Sequence, residues 1–323
     1  AAPPPAALPS AADDALDDLA TLSPAFAREL AVLRKVARSR VPVLVLGESG
    51  TGKEVVASAV HALSGRRGPL VPVNCGAIPA ALVESELFGS RRGAFSGAED
   101  RTGFVRAAEH GTLLLDEVGE LPLASQAALL RFLQEGEVAP LGADRRFVVD
   151  ARVVAATNQA LEDLVARGQF RRDLYARLCG YVIHLPPLRA RLEDLGLLVA
   201  RLLARLAPGA AAPRLSRAAA RALVHHRWPH NVRELEQVLR TALATASGDE
   251  IGLDDLHLVA AIPAPTAAPL PAPGADRRDH LTALLGKHAG NLAAVARELA
   301  TSRSQVRRLL ARHGLASDAF KRR

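Results

Sequence analysis

Val43-Leu-Val-Leu-Gly47-Glu48-Ser49-Gly50-Thr51-Gly52-Lys53-Glu54 is the stretch on which the fold of this chain turns. Four apolar residues run into a glycine-rich turn, and a lysine closes it. The order reads as a strand, a phosphate-binding loop and the start of a helix. Gly47, Gly50 and Gly52 allow backbone N–H groups to curl around phosphate oxygens, and Lys53 adds a charge that reaches the β and γ phosphates. The helix N-terminus contributes its own partial positive charge. Glu54 stands where such loops usually carry Ser or Thr.

Nucleotide chemistry needs carboxylates, and the next apolar strand supplies them. Gly111-Thr-Leu-Leu-Leu-Asp116-Glu117 ends in two acids. Buried parallel strands read as unbroken apolar runs, and ligands gather at their carboxyl ends. Asp116 is placed to hold Mg²⁺, directly or through water, and Glu117 to polarise the water that attacks the γ-phosphate. Alone, such a strand could equally end in a solvated acidic turn. Following a phosphate loop, it points to an ATPase or GTPase.

At 323 residues the chain is long enough for two or three domains. Aromatic residues make up only 3%, so the cores must be built from Ala, Leu and Val. No run of eighteen apolar residues predicts a membrane span, and Ala1-Ala-Pro-Pro-Pro-Ala lacks the basic end and apolar centre of a signal peptide. Cys75 and Cys179 lie far apart without metal-ligand spacing, as expected of two reduced thiols in a cytoplasmic protein. The chain contains no methionine, even at position 1, which points to a piece of a longer protein.

The net charge of +7 is concentrated at one end. Residues 276–323 hold eleven Lys/Arg and four Asp/Glu, and the remaining 30 basic and 30 acidic residues cancel. A small basic tail of this kind suits a polyanion, most often nucleic acid.

Along the chain, residues 1–21, rich in Ala, Pro and Asp, read as a linker. A helix over 24–39 leads into the first strand, and further strands are expected near 70–73, 112–116, 153–157 and 181–185. Helical stretches between them predict an α/β core with a parallel sheet over 22–188. From 189 to 262 the pattern is helical, with Leu192, Leu195, Val199, Leu202 and Leu206 on one face. Ser216 is a candidate cap, Asn231 with Glu234 matches a capping box, and Gly248 a stop. This region reads as a small lid subdomain. Five prolines in 263–275 make a semi-rigid linker.

The tail, 276–323, reads as three helices: His280–His288, Asn291–Ala300 and Arg303–His313. Leu292, Val295, Ala296 and Leu299 face inward on the second, and Val306, Leu309 and Leu310 on the third. Arg303, Ser304, Gln305, Arg307, Arg308 and Arg312 remain for the other faces. Two helices joined by a short turn, the second loaded with Arg and Gln, look like a helix-turn-helix. Arg can read guanine and Gln adenine in the major groove. Some of these side chains must meet phosphate instead.

Further segments carry a family resemblance. They are Glu86-Leu-Phe-Gly89, Gly93-Ala-Phe-Ser-Gly-Ala98, Asp116-Glu-Val-Gly-Glu-Leu-Pro122 and Leu133-Gln-Glu-Gly136, then Phe170-Arg-Arg-Asp-Leu-Tyr-Ala-Arg-Leu178, Leu185-Pro-Pro-Leu-Arg-Ala-Arg191 and Trp228-Pro-His-Asn-Val-Arg-Glu-Leu235. Together with the phosphate loop, where glutamate after the lysine is itself usual, they resemble the bacterial sigma-54-dependent transcriptional activators, or enhancer-binding proteins, from about 40 to 262. The tail resembles a Fis-type helix-turn-helix through Gly290-Asn291 and Arg303-Ser-Gln-Val-Arg-Arg-Leu309.

The resemblance implies an AAA+ P-loop NTPase fold with a parallel sheet, a helical lid and a C-terminal all-α helix-turn-helix domain. It implies a ring, hexameric in this family, that hydrolyses ATP with Mg²⁺ between subunits. Asn74 matches the position that senses γ-phosphate and switches the catalytic glutamate, Asn158 the first sensor, and Arg233 the second sensor. Arg171 and Arg177 match the arginines that reach a neighbour's ATP. The loop Gly93, Ala94, Phe95, Ser96, Gly97 and Ala98 matches the element that pushes on sigma-54 within RNA polymerase holoenzyme, and the tail matches the reader of upstream double-stranded DNA. Three departures stand out. Ser96 replaces the usual threonine, His230 a glycine of the lid motif, and Ala300 the glycine frequent in helix-turn-helix turns. The family normally carries an N-terminal regulatory domain, and here only a short linker precedes the core. Two other readings remain open: a DNA-binding regulator whose ATPase domain senses nucleotide without mechanical output, and a AAA+ remodeller of another protein substrate.

Overall fold

The computed structural model describes residues 19, 21–94, 99–143, 145–209, 213–246, 248–258, 276–288, 291, 292, 295, 298 and 310. They fall into two compact units, Ala1–Leu258 and Val259–Arg323.

A five-stranded parallel sheet organises the larger unit. Its strands are β1 (Val43–Leu46), β2 (Leu70–Asn74), β3 (Thr112–Asp116), β4 (Arg152–Thr157) and β5 (Tyr181–His184). They lie side by side in the order β2-β3-β4-β1-β5. Because successive side chains of a strand point to opposite faces, each central strand feeds two cores. Leu44, Leu113, Leu115, Val153 and Ala155 pack on one face. Val43, Val45, Leu114, Val154 and Ala156 pack on the other, with α1 (Pro24–Ala37) and α2 (Lys53–Leu63). Burial on both faces is why these strands carry unbroken apolar runs.

Register places the site. Asn74 pairs with Asp116 across β2 and β3, while Leu46 pairs with Thr157 on one side and His184 on the other. The strand ends that precede the Gly47 loop, the Asp116–Glu117 pair and Asn158 therefore share one edge of the sheet.

The core also carries α3 (Leu123–Glu135) and α4 (Arg172–Leu178). The lid contains α5 (Leu195–Leu206), α6 (Arg217–His225) and α7 (Asn231–Thr245). Leu195, Leu198, Val199, Leu202, Leu203, Leu235 and Leu239 build its core around the fully buried Trp228. The Trp228 indole N–H donates to the Leu223 carbonyl at 3.0 Å, which satisfies its one polar group. Ser216 caps α6 as expected, its hydroxyl accepting from the Ala219 N–H at 3.1 Å.

In the larger unit three expectations change. Leu192 lies outside α5 and is 37% exposed; Leu198 and Leu203 complete the apolar face instead. The packed unit begins inside the expected 1–21 linker, because Leu19 is buried and Thr21 is bonded to Asp194. Asn231 does not cap its helix. His230 is the N-cap, Glu234 reaches back to its N–H at 2.9 Å, and the Asn231 side chain turns elsewhere.

In the smaller unit, α8 spans Asp276–Lys287, starting four residues before the expected His280. Leu281, Leu284, Leu285, Val295 and Leu310 form its core, with Leu292 against it. Lys287 and His288 both pair with Glu298. Ala296, Leu299, Val306 and Leu309 lie outside the described residues, as do Arg303, Ser304, Gln305, Arg307, Arg308 and Arg312. No described helix is long and apolar enough to cross a membrane.

Candidate functional site

Between the phosphate loop, the sheet edge and the lid opens a cleft of about 440 Å³. Ser49, Gly50, Gly52, Lys53 and Glu54 line it from the loop. Gly47, Glu48 and Thr51, grouped with them by sequence, do not. The Gly47 N–H is bonded to the Thr157 carbonyl at 3.3 Å, and the Thr51 hydroxyl to the Glu48 carbonyl at 2.8 Å. These bonds shape the loop.

Lys53 opens α2 behind Gly52, whose φ of 107° lies in the left-handed region that glycine adopts without strain. Its side chain is only 7% exposed. The ammonium donates to the Gly47 and Glu48 carbonyls at 3.1 and 3.3 Å and lies 3.9 Å from a Glu117 oxygen. Neutral carbonyls and one carboxylate thus hold a buried charge at the mouth of a helix N-terminus.

Asp116 ends β3, and Glu117 follows at φ 52°, ψ 47°. A left-handed conformation costs a residue with a Cβ about 1–2 kcal/mol. That turn aims the Glu117 carboxylate at Lys53 on one side and at the Asn158 N–H, 3.5 Å away, on the other. The expected base, lysine and first-sensor position are thereby brought together. Asn74 also lines the cleft, but its side-chain oxygen accepts from the N–H groups of Gly76 and Ala77 at 3.0 and 3.1 Å. No described hydrogen bond joins Asn74 to Glu117, so here it acts as a cap beside the acid.

From the lid, Arg233 donates to the Ser49 hydroxyl at 3.0 Å. The N–H groups of Val232 and Arg233 both reach the Gly50 carbonyl, at 2.9 and 3.3 Å. Gly50 has φ 77°, and a Cβ there would lie 2.2 Å from the His230 carbonyl oxygen. This glycine is required where the lid docks.

Sequence reasoning missed the polar network that holds the lid down. Asn231 is fully buried, with φ 55°. Its side-chain oxygen accepts from Leu188 N–H at 2.8 Å, and its amide donates to Glu48 at 3.2 Å and to the Ser49 carbonyl at 3.0 Å. Arg189 grips the Glu48 carboxylate with both ends of its fork, at 2.7 and 2.5 Å. Hydrogen bonds from Arg189 above all, and from Asn231, hold the Glu48 carboxyl down at about 2. Arg201 is a second omission. Its Nη1 is buried without a partner, and the residue lines the cleft opposite the loop. Its only signal was its place beside the apolar stripe of α5.

The two arginines expected to act across a boundary do not line this cleft. Arg171, just before α4, is exposed and paired with Asp173 at 2.7 and 3.0 Å. Its own N–H is pinned by buried Gln126 at 2.8 Å. Arg177 donates to the Leu133 carbonyl at 3.2 Å. Of the loop expected to meet sigma-54, Gly93 and Ala94 are described, Gly93 with φ 86°, while Phe95, Ser96, Gly97 and Ala98 lie outside the described residues.

The cleft suits a nucleoside polyphosphate. Its walls carry Lys53, Arg233, the unpartnered Nη1 of Arg201 and Gly52 at a helix start, and two carboxylates stand at the sheet edge. No set of three or more His, Cys, Asp or Glu able to cage a metal occurs among the described residues. Mg²⁺ rarely needs one, because it binds through one or two carboxylates together with substrate phosphates. Asp116 fits that role.

Comparison with known proteins agrees with this geometry. Residues 19–184 match the sigma-54 interaction domain, and residues 189–269 the AAA+ ATPase lid domain. The chain is 44% identical to the acetoin catabolism regulatory protein of Cupriavidus necator over 97% of its own length and 49% of that protein. It is 44% identical to the transcriptional regulator NtrC of Azospirillum brasilense, covering 88% of this chain and 60% of the relative. It is 46% identical to the nitric oxide reductase regulator NorR2 of Cupriavidus necator, covering 90% and 62%. The chain thus spans about half to three-fifths of these relatives' lengths. Among solved structures, NtrX of Brucella abortus in complex with ADP superposes with a TM-score of 0.68 at 30% identity, over 93% of this chain and 71% of that one; NtrX solved with ATP matches equally. A phosphate loop, a paired-acid strand end and a docked lid, matched across their full extent, make this chain a member of the sigma-54-dependent transcriptional regulator family, with an AAA+ ATPase domain and its lid.

Proposed function

We propose that this chain hydrolyses ATP at the interfaces of a ring, of six subunits by family likeness, and spends the cycle on remodelling sigma-54 RNA polymerase holoenzyme so that promoter DNA opens. The observation that carries the reading is the convergence of Lys53, Glu117 and Asn158 at one strand edge, with Arg233 docked on the same loop. Lys53 and Arg233 hold phosphate oxygens. Glu117 accepts the proton of the attacking water, and Asn158 keeps that carboxylate oriented. Asn74 stays beside it as the γ-phosphate sensor. Asp116 would hold Mg²⁺, which would supply positive charge against the nucleotide's phosphates.

Arg171 and Arg177 act on a neighbour's nucleotide. Their placement outside this chain's own cleft supports that reading, since each would otherwise have no phosphate to meet. The Gly93–Ala98 loop, with Phe95 as its apolar contact, engages sigma-54. Residues 276–323 form a Fis-type helix-turn-helix and bind upstream DNA, joined through the proline-rich 263–275 linker. The confinement of the +7 charge to this tail supports that role. The chain works in the cytoplasm, where its polymerase and DNA are found.

The test is open-complex formation at a sigma-54 promoter carrying an upstream site, with this chain, holoenzyme and ATP. Opening is expected with the wild-type chain and not with Glu117→Gln or Phe95→Ala, the latter retaining its ATPase. A chain that hydrolyses ATP yet never opens the promoter or binds sigma-54 would establish the mechanically silent alternative.

A further inference from the structure

The buried pair Arg191 and Asp194 has no part in the chemistry above. Asp194 is fully buried and Arg191 only 3% exposed. The segment that enters the core occupies both oxygens of Asp194. The Thr21 hydroxyl donates to one at 2.7 Å, and the Leu22 N–H to the other at 2.5 Å. Arg191 faces the same carboxylate at a loose 3.9 Å. Its Nη2 reaches the other way and donates to the Thr51 carbonyl at 3.2 Å, while its guanidinium lies 5.3 Å from the Phe26 ring centre on α1. Thr51 is the residue between Gly50 and Gly52, at the bend of the phosphate loop, and is itself buried.

Four groups thus form one chain of contacts: Thr21 and Leu22, Asp194, Arg191, and the loop at Thr51. Neither Thr21 nor Leu22 lines the cleft. The looseness of the ion pair has a cause. A carboxylate whose oxygens are held by two other donors leaves the guanidinium free to spend a hydrogen bond on the loop. Without those donors the buried carboxylate keeps only one charged partner, and a bare buried charge is costly. The guanidinium is then drawn toward Asp194, and its bond to Thr51 weakens.

We propose that Arg191 is a positioning residue for the phosphate loop, and that through Asp194 it couples the entry segment at Thr21–Leu22 to nucleotide affinity. This rests on the reading that the loop binds ATP and ADP. Whatever pulls Thr21 and Leu22 off Asp194 loosens the loop without touching the cleft.

The test is a double-mutant cycle in the full chain, read by titration with a fluorescent ADP analogue and by Tm. Thr21→Val keeps the side chain's shape and removes its hydroxyl. It is expected to weaken ADP binding about twofold to thirtyfold, the range carried by coupled networks of this kind. In an Arg191→Leu background the same change is expected to add nothing, because the route to Thr51 is already cut. A purely structural role would lower Tm alike in both backgrounds and show no such difference in affinity. If Arg191→Leu fails to fold, Arg191→Lys serves, since a single ammonium cannot span the two contacts of the fork. Unchanged ADP affinity in Thr21→Val, or losses that multiply in the double variant, would overturn the coupling alone. A wild-type chain that binds no ADP would overturn the nucleotide reading, and this inference with it.

Discussion

The sheet and the lid hold opposite sides of one loop, and they do it with different physics. On the sheet side, alternating Leu, Val and Ala residues of β1, β3 and β4 disappear into two apolar cores, and the functional groups emerge only where the strands stop. The grip there is non-directional and spread over many contacts. On the lid side, the loop is held by Asn231, Arg189, Arg191 and two N–H groups of α7, through a few directional bonds. A rigid sheet suits groups that must be aimed at a reacting phosphate. A polar clasp suits a part that must report which nucleotide is bound, because a few bonds decide whether it is closed.

The largest effects are expected on turnover, from the groups proposed to act on the reacting phosphate. Arg171→Ala or Arg177→Ala is expected to lower ATP turnover by about 10³–10⁵ while ADP binding persists, since an arginine finger acts only on the transition state. Glu117→Gln is expected to lose about 10²–10⁴ as a missing general base. Mixing it with Arg171→Ala should recover part of the activity, because some mixed interfaces hold one intact site. Steady-state hydrolysis across mixing ratios checks this, and a flat baseline would refute action in trans.

The lid side is expected to fail in binding before turnover at saturation. Gly50→Ala puts a Cβ into a left-handed backbone and within 2.2 Å of the His230 carbonyl oxygen. The conformation alone costs about 1–2 kcal/mol. ADP affinity is expected to fall about tenfold or more as the lid lifts, measured by titration calorimetry.

A smaller loss is expected from Asn231→Ala, which leaves the Leu188 N–H and the Ser49 carbonyl without their partners. An unsatisfied buried group costs about 1–3 kcal/mol, seen as a fall of several degrees in Tm. If Asn231→Ala melts like the wild-type chain, the clasp is not a stability element and the contrast drawn above is wrong.

The smallest effect concerns acid. Glu48 in the folded chain titrates at about 2, against an ordinary value of 4.5, because Arg189 and Asn231 favour its charged form. A depressed carboxylate contributes stability that is complete above its ordinary value and is lost as pH falls toward the folded one. The Glu48–Arg189 contact is therefore expected to weaken between about pH 4.5 and pH 2. The group is nearly half exposed, so solvent screening keeps the effect modest. Comparing the acid limb of a Tm-versus-pH profile for wild type and Glu48→Gln checks it: the variant should show the shallower fall.

Legibility followed the same divide. The phosphate loop and the Asp116–Glu117 strand end could be read directly, because all their residues are contiguous and their function follows from local backbone geometry. Asn231 was misread for an equally local reason: Asn followed three residues later by Glu matches a capping box. In the folded chain its amide instead meets Glu48 and Ser49, 183 and 182 positions away. Glu48 and Thr51 belong to the loop in sequence, yet one faces Arg189 and the other is buried.

The sequence alone determined the alternating α/β core, the loop, the acids and the concentration of positive charge in the last domain, since apolar period, glycine spacing and charge are properties of short stretches. Only the tertiary structure decided that Gly50 is a docking point for the lid, that Arg201 faces the cleft with an unused donor, and that Asp194 joins Thr21 to Arg191 and the loop. The lid docking and the Asp194 link rest on hydrogen bonds between groups as much as 183 positions apart, whose meeting depends on how the whole chain packs and leaves no local trace in residue spacing.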